Sequence, residues 1–131
     1  MTNEIKVIKL MYEALLRGDI KGMLSFFTDH ATVEWGPFKF KGKSEIETWA
    51  TDILNMFPTI RIIDKQFNLS GNNMVHKFII ETVNTDQSRG VLPASGSYDF
   101  KKGRLNNLRI ELHDGYIIRK REEAKHYGIK I

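Results

Sequence analysis

The chain has 131 residues, 41% hydrophobic and 27% charged, a size and balance that fit one globular domain over 1–131 and argue against disorder. It contains no cysteine, which excludes disulfides, thiolate metal sites and thiol catalysis. The formal net charge of +4 comes from 20 basic and 16 acidic residues that are mostly interleaved, so no nucleic-acid partner is expected.

At the N-terminus, Met1-Thr2-Asn3-Glu4-Ile5-Lys6 enters a polar-patterned segment at once, without the apolar core of a secretory signal. No apolar run approaches the ~20 residues that span a bilayer, so a cytoplasmic protein with no membrane partner is expected. Residues 4–17 read as a helix: Ile5, Ile8, Met11, Tyr12 and Leu15 recur at three- or four-residue spacing, and Gly18 suits its end. Asp19 can cap a second short helix with Ile20, Met23, Leu24 and Phe27 on its buried side. The period then changes. Residues 31–35 are β-prone, Gly36-Pro37 interrupts, and 38–41 alternates with period two. Ser44, with Glu47 three residues on, is a capping-box signature for a third helix that buries Ile46, Trp49, Ile53, Leu54 and Phe57 and ends at Pro58. The remainder reads as strands over 59–69, 73–84, 94–101, 104–113 and 116–122, with hairpin turns at Ser70–Asn73 and Asp114-Gly115 and a loop over 85–93. Gly103 marks a bend or bulge, and Ser95-Gly96-Ser97 reads as a turn rather than a nucleophile elbow. Helices followed by a strand meander give an α+β domain, with the helices covering a curved antiparallel sheet.

Several pieces recur in this order at a familiar spacing. They are Tyr12-Glu13-Ala14 to Gly18-Asp19-Ile20, Phe26-Phe27-Thr28-Asp29-His30-Ala31-Thr32-Val33, and Gly42-Lys43-Ser44-Glu45-Ile46. Leu92-Pro93-Ala94-Ser95-Gly96 and His113-Asp114-Gly115-Tyr116-Ile117-Ile118 complete the set. Together they resemble the nuclear transport factor 2-like superfamily, in particular its SnoaL-like members. The resemblance implies a cone-shaped barrel around a mainly apolar pocket, commonly dimeric through the outer sheet face. It also implies relatives among ketosteroid isomerases, polyketide cyclases and limonene epoxide hydrolases. The isomerases' catalytic groups do not carry over. Their tyrosine donor falls on Met11, their aspartate base on Trp35 and their protonated aspartate near Leu108, and none of these can move a proton. The cyclases' acidic residue falls near the same leucine. Of the epoxide hydrolases' aspartate–arginine–aspartate set, one aspartate falls on Glu122, whereas the strand that should carry arginine reads Ile80-Glu81-Thr82.

Strand parity sorts the faces. On 104–113 the set Asn106, Leu108, Ile110 and Leu112 should face inward. The resemblance puts His76, Phe78, Ile80 and Thr82 inward on 73–84, and Ile118, Lys120 and Glu122 inward on the last strand. The expected pocket therefore holds Tyr12, Trp35, His76, Phe78, Asn106, Leu108, Ile110 and Lys120, with Glu122 as the catalytic acid–base group. A pairing of Glu122 with Lys120 as surface ions is the competing reading. Glu81, Arg109, Glu111, Arg119 and Arg121 fall on the outer face, where they can pair across strands or across a homodimer interface. The four histidines lack metal-ligand spacing, so neither metal nor cofactor is expected. The functional expectation is a pocket for a small apolar or amphipathic molecule, serving cofactor-free isomerisation, dehydration or water addition. The alternative is a non-catalytic ligand-binding or dimerisation module.

Overall fold

The computed structural model describes residues 2–57, 59–70, 73–83, 88–113 and 116–118. Helix α1 (Thr2–Leu16) buries Ile8, Met11, Tyr12 and Leu15, the stripe its periodicity demands. It ends in a Schellman arrangement: Gly18 stands at φ 80°, its N–H donates to the Leu15 carbonyl at 3.0 Å, and the Asp19 N–H donates to the Ala14 carbonyl at 2.9 Å. Asp19 then caps α2 (Ile20–Leu24), its Oδ1 accepting from the Gly22 N–H at 2.9 Å. Phe27 is fully buried as expected, but it opens strand β1 (Phe27–Trp35) rather than closing α2. After β2 (Phe38–Lys41), α3 (Gly42–Met56) begins two residues ahead of the Ser44 signature. No capping box forms there. Instead Glu45 Oε1 accepts the Lys41 N–H at 2.9 Å, doing the work expected of Glu47.

Strands β3 (Thr59–Ser70), β4 (Asn73–Val83), β5 (Arg89–Lys101), β6 (Arg104–Leu112) and β7 (Tyr116–Ile118) complete the chain order. One sheet runs β2-β1-β6-β5-β4-β3, with β7 pairing to β5 off this path. The fold is α+β as expected, with two differences in the sheet. It is mixed rather than purely antiparallel, because β1 runs parallel to β6, and among the described strands it stays open, with β2 and β3 at its edges rather than closed into a barrel. Strand β5 also starts five residues before the expected 94. Gly90 and Pro93 read as loop residues, yet β4 pairs with this stretch on one side and β7 on the other. Pro93 lacks an N–H but its carbonyl accepts the His113 N–H at 2.9 Å. Gly90 is needed for close approach, since a Cβ there would meet Thr82 Oγ1 at 2.5 Å. Ser95-Gly96-Ser97 is mid-strand and not a turn, paired with Val75, His76 and Lys77 on β4.

Three irregularities bend the sheet around the helices. Lys65 is an extra residue in β3 between Asp64, opposite Phe78, and Gln66, opposite Lys77. Asn106 is an extra residue in β6, between Leu105, opposite Phe100, and Asn107, opposite Asp99. Strand β1 carries three extra residues against β6 between Phe27 and Thr32. The core lies between the concave face and helices α1 and α3, built from Met74, Phe78 and Ile80 of β4, Leu105, Leu108 and Ile110 of β6, and the helices' apolar stripes. Gly103 serves as the second residue of the β5–β6 turn, not as a bulge.

Candidate functional site

The face of β4 that turns inward is the one the resemblance implies. Met74, His76, Phe78, Ile80 and Thr82 are all buried, although Glu81 on the other face is buried too. His76 is fully enclosed, which for an imidazole demands partners at both ring nitrogens. It has them: Nε2 lies 2.8 Å from Asp64 Oδ1 and Nδ1 lies 3.0 Å from the Tyr98 hydroxyl. The Tyr98 hydroxyl is in turn 2.8 Å from that of Tyr12. Four side chains from α1, β3, β4 and β5 thus form one hydrogen-bonded chain running from a helix to a sheet edge.

Two backbone devices build it. The first is the Lys65 bulge. If this sequence paired regularly, with Lys65 in the ladder, the alternation that points Ile60, Ile62 and Asp64 inward would continue to Gln66, opposite His76. With the bulge, Phe67 takes that place and stacks on the imidazole, centroids 4.0 Å apart and planes 5° apart. Phe78 stacks on the other side at 4.5 Å. The second is Gly96, the cross-strand partner of His76. Tyr98 lies back over it, so that a Cβ on Gly96 would meet the Tyr98 oxygen at 2.5 Å.

Burial sets the charge states. It pushes the His76 imidazole below its ordinary value of 6.5, against the opposing pull of the Asp64 carboxylate and with a smaller contribution from Lys9. His76 is therefore neutral at pH 7 and carries one N–H. A carboxylate only accepts, so that proton sits on Nε2 and Nδ1 accepts from the Tyr98 O–H. Tyr98 then accepts from Tyr12. Burial holds both phenols above their ordinary value, so they stay neutral donors. The order Tyr12→Tyr98→His76→Asp64 is one continuous donation that ends on a carboxylate.

Of the four groups the carboxylate is the most open to solvent, with 40% of the Asp64 side chain exposed. It sits in a cleft of about 290 Å³ between α1 and β3. Ile8, Leu16 and Ile62 form apolar walls, the edge of Tyr12 reaches it, and Lys9 and Glu13 supply charge. The Lys9 ammonium also lies 5.7 Å from the centre of the Phe67 ring. The chemistry open to this arrangement is acceptance and return of a proton at a carboxylate whose geometry is held by a neutral histidine.

Of the residues singled out from the sequence, Tyr12, His76 and Phe78 come together in ring contact, with Tyr12 5.9 Å from Phe78. Leu108 and Ile110 lie in the same buried cluster. Trp35 is only partly buried and packs on Trp49 at 6.0 Å. The β6 bulge interrupts the alternation, so Leu105, Leu108 and Ile110 face the core and Asn106 does not join them. Asn106 instead accepts from the Thr28 hydroxyl at 2.8 Å and lines a surface groove. Glu122 and Lys120 lie outside the described residues, as do Arg119, Arg121 and the Asp114-Gly115 turn. On the outer face, Glu81 accepts from Arg89 at 3.0 Å and Arg61 at 3.5 Å, and Arg109 lies 3.7 Å from Glu111. Sequence reasoning missed Asp64, Tyr98 and Gly96. A signal for Asp64 was present in the slip of the apolar period from Ile60 and Ile62 to Phe67 and Leu69. No group of acids and histidines suited to a metal ion occurs among the described residues, and no described helix is long and apolar enough to cross a membrane.

No family model and no curated protein sequence matches the chain. Solved structures do. An NTF2-like protein of unknown function from Burkholderia pseudomallei superposes with a TM-score of 0.75 at 16% identity, covering 86% of this chain and 92% of that one. An LEH-like epoxide hydrolase from M. tuberculosis gives 0.72 at 14% identity over 86% and 84%. A Δ5-3-ketosteroid isomerase from Mycobacterium sp. gives 0.73 at 15% identity over 88% and 98%. The chain thus has the nuclear transport factor 2-like fold that its sequence motifs resemble.

Proposed function

We propose that this is a small-molecule pocket protein performing cofactor-free acid–base chemistry, with Asp64 at the α1–β3 cleft as the acid–base group and His76 as its positioning residue. The observation that carries the reading is the buried Tyr12–Tyr98–His76–Asp64 chain that ends at a solvent-open carboxylate. The His76 Nε2–H engages Oδ1, leaving Oδ2 to a ligand. An apolar or amphipathic substrate lies on Ile8, Leu16 and Ile62. Asp64 takes a proton from the substrate or from a water attacking it, and returns it to the product. The Lys9 ammonium offsets the negative charge that develops. An isomerase and an epoxide hydrolase among structures of this fold are consistent with that reaction class. Glu122 remains the second candidate for the same role.

A thermal-shift screen against steroids, polyketide-like aromatics, terpenoid epoxides and fatty acids, followed by product analysis of hits, tests this. Asp64→Asn keeps an acceptor for His76, so binding persists while turnover falls by roughly 10²–10⁴. Turnover that survives Asp64→Asn and disappears in Glu122→Gln moves the role to Glu122. A ligand bound without turnover supports the non-catalytic module, a reading favoured by the enclosure of His76 and Tyr98 away from solvent. The same proposal includes a homodimer through the outer sheet face, where Glu81 is already neutralised by Arg61 and Arg89 and the face can be covered without stranding its charge. A monomer by light scattering at micromolar concentration contradicts it.

A further inference from the structure

The β1 and β6 irregularities produce a second concavity, away from the apolar core. Strand β1 carries its three extra residues next to the Asn106 bulge of β6, and Thr28, Asp29, His30 and Asn106 share one side there, where Thr28 and Asn106 are hydrogen-bonded. Between them and the β5–β6 hairpin lies a half-open groove of about 480 Å³, a volume within the usual range for small ligands. Lys101, Lys102 and Arg104 line it. Among its described lining residues the one acid, Asp29, is 3.5 Å from the Lys43 ammonium, and the three cations have no carboxylate of their own in that set. The neutral groups point the same way. The Thr28 hydroxyl donates to Asn106 Oδ1 at 2.8 Å, which occupies the amide's acceptor and leaves its NH₂ to donate.

Lys102 supplies an independent observation. The hairpin turn is Lys102-Gly103, with φ of 52° and 81°, and Lys102 is the one non-glycine residue at positive φ among the described residues. Both central positions of a type I′ turn need positive φ, which asparagine, aspartate or glycine adopt at less strain than lysine. Local stability therefore does not explain the lysine, and strain of this kind is found where a side chain serves a ligand.

We propose that this groove binds a small phosphorylated molecule through its phosphate. Arg104 can present a fork to two phosphate oxygens, the lysines add point charges, and the Asn106 amide donates from the floor. A compact cavity closed on one side by a hairpin suits a small molecule better than a nucleic-acid strand, which needs an extended basic track.

The test is ¹H–¹⁵N NMR of the full chain titrated with inorganic pyrophosphate, a hexose monophosphate, the unphosphorylated hexose and a single-stranded oligonucleotide. The proposal expects saturable shifts confined to residues 28–30 and 101–106 with the two phosphorylated probes and none with the free hexose. Arg104→Gln and Lys102→Asn each weaken binding by at least about tenfold, the loss of one charge-assisted hydrogen bond. Lys102→Asn also creates the preferred Asn-Gly turn, so its Tm stays at or above the parent's and a folding defect cannot mimic the loss. Absence of shifts, shifts elsewhere, or affinity unchanged in both variants overturns the proposal. So does an oligonucleotide that saturates the same amides at lower concentration than the hexose phosphate.

Discussion

Enclosure between Phe67 and Phe78 leaves the His76 ring no water, so its properties follow from the two groups its nitrogens touch. Asp64 fixes the tautomer and Tyr98 uses the remaining lone pair. Removing the Tyr98 hydroxyl would strand both the His76 Nδ1 and the Tyr12 O–H, at about 1–3 kcal/mol for a buried unsatisfied group. Parity leaves the faces of β4 open, since both sets are mixed, and it was the family resemblance that placed His76 and Phe78 inward from the sequence. The same resemblance pointed to Met11 rather than Tyr12 as the position of a donor, yet both are buried and only Tyr12 carries a hydroxyl into the chain. Gly96 was unreadable because its reason is a tyrosine two residues on that folds back over it. Nothing in a Ser-Gly-Ser tripeptide distinguishes that from a turn.

Among the elements, helices were legible because a 3.6-residue stripe is a local signal, while their ends depended on single capping bonds. Glu45 rather than Glu47 reaches the α3 N-terminus, a choice two residues wide that the sequence pattern leaves open. The start of strand β5 was not legible because pairing on both flanks overrides the turn tendency of Gly90 and Pro93. The bulges matter most, since a one-residue slip exchanges the faces of a strand. Deleting Lys65 removes the bulge but leaves Gln66 opposite Lys77 and Phe67 opposite His76, so the register on either side is kept. Phe67→Ala, by contrast, strips the apolar packing from His76 and should cost about 2 kcal/mol or more in urea denaturation. Lys65→Ala keeps the extra residue and should stay within about 0.5 kcal/mol of the parent. Equal stabilities of Phe67→Ala and the parent would show that the stacked ring does not hold His76 in place.

At the scale of the molecule, the α+β architecture and the order of its elements were legible, since they rest on summed patterns across the whole chain. The parallel pairing of β1 with β6 and the open edges were not, because they depend on which distant strands meet. The candidate site divides the same way. Its histidine and helix tyrosine were visible as residue types on predicted faces, whereas their connection through Tyr98 and Asp64 exists only once four elements are assembled. On that connection the role of Asp64 depends, and ¹⁵N NMR of His76 between pH 8 and pH 4 reads it out. The ring should be neutral at pH 7 and protonated at Nε2, with a titration midpoint below 6.5. The sign follows from burial: a lowered folded pKa means stability from this group is full above the unfolded value and lost as pH falls below it, so unfolding free energy should decline together with the titration. A proton on Nδ1 at neutral pH, or a midpoint above 6.5, would contradict the chain of donation from Tyr12 to Asp64 and with it the role given to that carboxylate.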